Sequence, residues 1–139
     1  MATKVLVVDD EPDVATYMSV VLKQNGFTPV LATSADQALD LVKSECPDLI
    51  CLDIMMPKRS GFSFYTALRE DEECSGIPVV VVSGVVQQGE FDFRQFVPDR
   101  SIPPPQYYVE KPIEVEPFVA LLRKLARRKA RRAEPKGGK

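Results

Sequence analysis

Five short apolar runs, spaced by segments of helical length, constrain this chain more than any other feature. They occupy residues 5–8, 28–32, 49–52, 77–82 and 107–109. The first, third and fourth are apolar without alternation, as strands are when helices cover both faces of a sheet. Between them the pattern turns helical. Val14, Tyr17, Met18, Val21 and Leu22 fall on one stripe, which Asn25 and Gly26 stop. Ser34 and Gln37 form a capping box ahead of Ala38, Leu39 and Val42. Phe64 and Leu68 follow Ser60 and Gly61 in a third pattern. Phe118, Leu121, Leu122 and Leu125 give a strong last one, with Pro117 in its first turn.

Strands alternating with helices predict an α/β domain with a parallel sheet and right-handed crossovers. Five such units in this length suit a doubly wound, flavodoxin-like sheet of five strands in the order 2-1-3-4-5. The stretch between the fourth and fifth strands breaks the pattern. Residues 85–105 contain Gly89, Pro98 and three prolines in a row from Pro103 to Pro105, and Phe91, Phe93 and Phe96 keep no helical period. Proline lacks an amide donor and pushes its predecessor away from helix, so the fourth helix is predicted to be atypical, short and finished by about Val97. The proline run is predicted to be extended.

Bulk properties remove several classes of function. At 139 residues the chain fits one domain with a real core, expected over residues 1–126, followed by a basic tail at 127–139 that extends the last helix and then becomes disordered. No second domain, DNA-binding or otherwise, is expected. No apolar run approaches the ~18 residues of a membrane span and no signal-peptide pattern opens the chain, so the expected compartment is the cytoplasm. Cys46, Cys51 and Cys74 form no C-x-x-C and read as buried or inert thiols rather than a disulfide framework or a zinc site. With no histidine, the chain cannot use a histidine nucleophile, metal ligand or triad. Charge is divided. Residues 123–139 carry nine Lys/Arg and one Glu, and residues 1–122 carry nine Lys/Arg and nineteen Asp/Glu. The tail reads first as a solvated helix end, where cations are favoured; an anionic surface, nucleic acid or acidic partner is the alternative.

Polar residues fall where a core would not want them. Asp9 and Asp10 follow the first strand, Asp53 the third, Ser83 the fourth and Lys111 the fifth. Ligands of open α/β sheets bind beyond the carboxyl ends of the strands, so these five converge on one rim. Three close carboxylates repel one another. A divalent cation and one lysine balance them, and an all-oxygen site with open positions suits Mg²⁺. Such a site can steady phosphoryl oxygens while a carboxylate attacks.

The stretches VLVVDDEP, DLICLDIMMPKRSGF, IPVVVVSG and YYVEKPI resemble, in order, the receiver domain of bacterial response regulators. The match runs to about residue 84, resumes at Tyr107 and covers most of the chain. The resemblance implies a phosphorylation switch of two-component signal transduction, with Asp53 accepting a phosphoryl group. It implies that Asp10, Asp53 and the Met55 carbonyl hold Mg²⁺, with Asp9 acting through a metal-bound water. Ser83 and Lys111 would contact the acyl phosphate, and Tyr108 would be the aromatic that moves with Ser83. Lys111-Pro112 matches a peptide bond that is often cis in the family. Met55 and Val85 would flank the path of the hydrolytic water, and being apolar would favour a long-lived phosphoryl group. The implied donor is a sensor histidine kinase, a histidine phosphotransfer protein or a small acyl phosphate.

A stand-alone receiver is expected, not an enzyme beyond its own phosphorylation and dephosphorylation. It would act on a downstream protein target, with a homodimer through the 85–125 face as one arrangement. The rebuilt loop before Tyr108 is expected either to shape that partner site or to be a tolerated insertion. A degenerate receiver, acting as an interaction module without phosphorylation, is the alternative. Other classes fit less well: there is no G-x-x-x-x-G-K-[ST] loop, no D-x-D after the first strand as in haloacid dehalogenase-type phosphatases, and an acidic loop where a flavodoxin would hold FMN phosphate.

Overall fold

The computed structural model describes residues 2–84 and 92–133. The chain runs β1 (Lys4–Val8), α1 (Pro12–Gln24), β2 (Thr28–Ala32), α2 (Ala35–Glu45), β3 (Leu49–Leu52), a 3₁₀ turn (Pro57–Arg59), α3 (Ser60–Glu70), β4 (Val79–Ser83), α4 (Phe93–Phe96), β5 (Tyr107–Glu110) and α5 (Val115–Ala133). All strand pairs are parallel and the sheet order is β2-β1-β3-β4-β5. This is the flavodoxin-like arrangement that the apolar runs predict.

Successive strand residues face opposite sides, and the core divides accordingly. Leu6, Val8, Ile50, Leu52, Val79 and Val81 face α2, α3 and α4; Val5, Val7, Leu49, Cys51, Val80 and Val82 face α1 and α5. Both faces are covered, which is why β1, β3 and β4 show no alternation.

Several local expectations are refined. β4 starts at Val79 rather than Ile77, because the Ile77 amide closes a turn onto the Cys74 carbonyl at 3.0 Å and Pro78 has no amide to offer. Tyr17, expected on the buried stripe of α1, is 48% exposed; it sits about 100° round the helix from Met18, at the stripe's edge. Ser34 caps α2 by accepting the Gln37 amide at 3.1 Å, but Gln37 Oε1 accepts from Thr33 rather than closing the box on Ser34. Cys51 and Cys74 are buried, and burial pushes the Cys51 thiol up to about 12, whereas Cys46 is exposed.

The fourth helix is a single turn. Asp92 caps it by accepting the Arg94 amide at 3.1 Å, and Val97, next to Pro98, leaves helical geometry at φ −131°, ψ 85°. Its phenylalanines serve α3 instead of a helical stripe: Phe62 stacks on Phe96 at 4.4 Å, and Tyr65 meets Phe93 edge-on at 5.5 Å. The part of the 85–105 expectation that falls on residues 85–91 lies outside the described residues, as does the expected disorder of residues 134–139. α5 continues past residue 126 to Ala133.

Gly61, in the first turn of α3, sets how closely that helix approaches the loop after β3. A Cβ there would be driven into the Ile54 backbone. Alanine normally stabilises a helix by ~1 kcal/mol over glycine, but a clash with backbone cannot relax by a rotamer change. Gly61→Ala is expected to destabilise the fold by roughly 1–3 kcal/mol, the usual cost of overpacking. Urea denaturation checks it, and a gain in stability would refute the close approach.

Candidate functional site

The backbone ladder runs one residue past β1, β3 and β5 and thereby fixes Asp9, Asp53 and Lys111 at the rim. The Asp9 amide donates to the Ala32 carbonyl at 3.0 Å, the Asp53 amide to Val8 at 2.8 Å and the Lys111 amide to Ser83 at 3.3 Å. Asp9 and Asp53 are buried at 1% and 7% exposure, and Ser83 at 1%. Carboxylate oxygens of Asp9, Asp10 and Asp53 lie within 4.8 Å of one another. Lys111 comes from the far side of the sheet, and its ammonium donates to Asp9 Oδ2 at 3.0 Å and Asp53 Oδ2 at 3.3 Å. The remaining oxygens are also engaged: Asp9 Oδ1 accepts the Glu11 amide at 2.9 Å and Asp53 Oδ1 accepts the Met55 amide at 3.1 Å.

The electrostatics follow from this packing. Burial raises the Asp53 carboxyl above its ordinary value; the Lys111 charge and the Met55 and Lys111 hydrogen bonds pull it down, the Asp9 charge pushes it up, and the net direction is up. For Lys111, burial alone would lower the ammonium. The Asp9 hydrogen bond and the charges of Asp53 and Asp9 outweigh it and raise the pKa. A lysine raised in the folded state contributes stability that is complete below its unfolded value of 10.5 and is lost as pH rises through the higher folded one. Lys111→Met is therefore expected to cost ~2 kcal/mol near neutrality, because it strands two buried carboxylates, and to remove a component of alkaline unfolding. Melting curves from pH 7 to 11.5 test both, and parallel curves for parent and variant would contradict the pairing.

The structure thus brings together Asp9, Asp10, Asp53 and Lys111, with Ser83 at the end of the neighbouring strand. Met55 is 43% exposed and follows the rim by way of the loop; Val85 lies outside the described residues. The Lys111-Pro112 bond is cis. Tyr107 and Tyr108 point to opposite faces. Tyr107 packs with the α1/α5 core and accepts from Arg128 at 3.0 Å, while Tyr108, at 36% exposure, has its hydroxyl pKa raised by burial and by nearby Tyr65. Glu11 is a member that the sequence reading did not single out. Its carboxylate lies 3.6 Å from the Lys111 ammonium, and its only signal in the sequence is its place two residues after Asp9.

A parallel sheet in this order, with three aspartates and a lysine gathered at its carboxyl rim, defines a doubly wound domain that works outside its strand ends. The chain belongs to the response regulator receiver domain family, which it matches over residues 5–123. It is similar to the phosphate regulon transcriptional regulatory protein PhoB of Escherichia coli (strain K12), 34% identical over 128 residues that cover 92% of this chain and 53% of PhoB. The chain spans about half the length of the curated relatives it matches. Among solved structures it is similar to a sensor protein from Polaromonas sp. JS666, with 27% identity, a TM-score of 0.79, and coverage of 91% of this chain and 98% of that one. It shares its fold with a CheY-like receiver domain protein from Methanospirillum hungatei JF-1, with 16% identity, a TM-score of 0.79, and coverage of 96% and 100%. Among the described residues, no helix is long and apolar enough to cross a membrane.

Proposed function

We propose that this receiver domain is a phosphorylation switch in which Asp53 accepts a phosphoryl group from a phosphohistidine of a kinase or phosphotransfer protein, or from a small acyl phosphate. The observation that carries this reading is the Asp9–Asp10–Asp53 cluster bridged by Lys111 at the rim. The donor set fits a hard divalent cation, because three carboxylates crowd oxygens within 4.8 Å with one ammonium to balance them. Asp10, Asp53 and the Met55 carbonyl would hold Mg²⁺, with Asp9 beside them acting through a metal-bound water. When bound, the metal supplies positive charge against the carboxylates and the phosphoryl oxygens.

In the transfer, a carboxylate oxygen of Asp53 forms the bond to phosphorus as the bond from phosphorus to the donor's imidazole nitrogen breaks. The electron pair leaves with the imidazole. Lys111, already on Asp53 Oδ2, would shift onto a phosphoryl oxygen, and the Ser83 hydroxyl would hydrogen-bond another. Tyr108 would follow Ser83 and report the change on the outer face. The chain acts on its own side chain rather than turning over an external substrate, and the cytoplasm, where such donors are found, is its expected compartment.

The deciding assay is incorporation of labelled phosphate from acetyl phosphate with and without Mg²⁺. Label that requires Mg²⁺ and is lost in alkali, as an acyl phosphate is, supports the reading. A chain that takes up none would instead be an interaction module independent of phosphorylation.

A further inference from the structure

A second concavity lies at the other end of the sheet. Its walls are the turn at 75–79, the segment 103–107, Tyr65 and Arg69 of α3, and Leu125 and Arg128 of α5, and it encloses about 270 Å³. Val79 and Tyr107 open their strands whereas Ser83 and Glu110 close them. A strand's length, about 13 Å, therefore separates the cleft from the acidic rim.

Its charge runs against that of the body around it. Residues 1–122 hold nineteen Asp/Glu against nine Lys/Arg, yet Arg69 from that body, Arg128 from the basic end of α5 and, among the described residues, no carboxylate line this cleft. Arg69 is held in place: Nη1 donates to the Ser75 and Ile77 carbonyls at 3.0 and 2.9 Å, Nε donates to the Tyr65 hydroxyl at 3.3 Å, and the guanidinium lies 5.0 Å over the Tyr65 ring. Tyr65 is fixed in turn by donating to the Pro103 carbonyl at 2.6 Å. These bonds use Nε and one Nη of Arg69, which leaves the second Nη, with its two donors, outside them. From the opposite wall Arg128 Nη1 donates to the Tyr107 hydroxyl at 3.0 Å. A guanidinium held this way loses little freedom when it meets an anion. Beside Ser75 and Gln106, the rest of the lining includes a stiff apolar wall of Ile77, Pro78, Pro103, Pro104 and the Tyr107 ring.

We propose that this cleft binds a small organic anion with a flat, apolar body, its phosphate or carboxylate meeting Arg69 and Arg128 and its body resting on the proline and tyrosine wall. The lining sets the class. Inorganic phosphate would leave the apolar wall wet, and a neutral aromatic would leave both guanidinium charges unmatched. The site is separate from Asp53 and needs no metal. Because the 103–107 wall runs directly into Tyr108, an occupant also braces the segment that precedes that residue.

The test is amide NMR of the full chain in EDTA, titrated with phenyl phosphate, benzoate, phenol and inorganic phosphate. Phenyl phosphate or benzoate is expected to shift the Ser75, Gly76, Ile77, Gln106 and Tyr107 amides saturably, at concentrations at least tenfold below those phenol or inorganic phosphate requires. Whichever of the two binds more tightly identifies the anionic group as phosphate or carboxylate. Arg128→Gln should weaken binding roughly tenfold or more, as loss of a charge-assisted hydrogen bond does. Arg69→Gln should do the same but risks unfolding the 75–77 turn, so Arg128→Gln carries the test. Equal binding of phenyl phosphate and inorganic phosphate would reduce the cleft to an adventitious anion site. Phenol binding as well as the anions, unchanged affinity in Arg128→Gln, shifts confined to the Asp53 rim, or no saturable shift at all would each overturn the proposal.

Discussion

An Asp53→Asn chain is expected to fold and to take up no label from acetyl phosphate. The swap is nearly isosteric, and an amide oxygen can still accept the Met55 amide that now donates to Oδ1 at 3.1 Å. What disappears is the nucleophile, so the loss should be complete rather than partial. Stability should move the other way with pH. Burial leads in raising the Asp53 carboxyl in the folded state. A carboxyl raised on folding contributes stability that is complete below its unfolded value of 3.8 and is lost as pH rises through the folded one. Asparagine is neutral throughout and keeps that contribution. Relative to the parent, the variant should therefore gain in melting temperature as pH rises above 3.8 when no divalent cation is present. Lys111 keeps Asp9 at 3.0 Å as a partner, which limits what the substitution costs on that side. Labelling of Asp53→Asn at the parental level would remove Asp53 from the role of acceptor, whatever the melting curves show.

Much of this was legible in the sequence, for a physical reason. A strand covered on both faces has no tolerance for charge, so each apolar run marks its own end with the first polar residue. Asp9, Asp53 and Ser83 each lie at or just past such an end, whereas Lys111 follows the half-exposed β5 by one residue, after Glu110. Parallel pairing then carries those ends to one rim without further information. The short fourth helix was legible too, because Pro98 acts locally on Val97. Features that depend on packing between distant elements were not. Gly61 is required by the approach of α3 to Ile54, and nothing in neighbouring residues signals it. Phe62, Phe93 and Phe96 cluster across two elements, so their spacing in the chain follows no period. Tyr17 matched the α1 stripe by count, yet Ala15, Met18 and Leu22 had already filled the sheet-facing surface. Glu11 entered the site only because Lys111 reaches across the rim to it.

Mg²⁺ is expected to raise the melting temperature of the parent chain, and Asp10→Ala to abolish most of that rise. A ligand that binds only the folded state adds about 2.7 kcal/mol at a hundred times its dissociation constant. In a domain of this size that is on the order of 10 °C. The response should be this large because three carboxylates sit within 4.8 Å and, among the described residues, only one ammonium stands among them. Asp9 and Asp53 are committed to Lys111. Asp10 is the more exposed member of the cluster, and its loss removes a ligand without disturbing that pairing. Asp10→Ala should consequently fold, melt no lower than the parent in EDTA because one repulsive charge is gone, and gain little on titration with Mg²⁺. An exposed glutamate in the turn that leads into β4, at the opposite end of the sheet, gives the control Glu72→Ala, since it lowers total negative charge equally away from the rim and should keep the full response. An Asp10→Ala titration that matches the parent's would show that Mg²⁺ does not bind among these aspartates, and equal losses in both variants would reduce the effect to general charge screening.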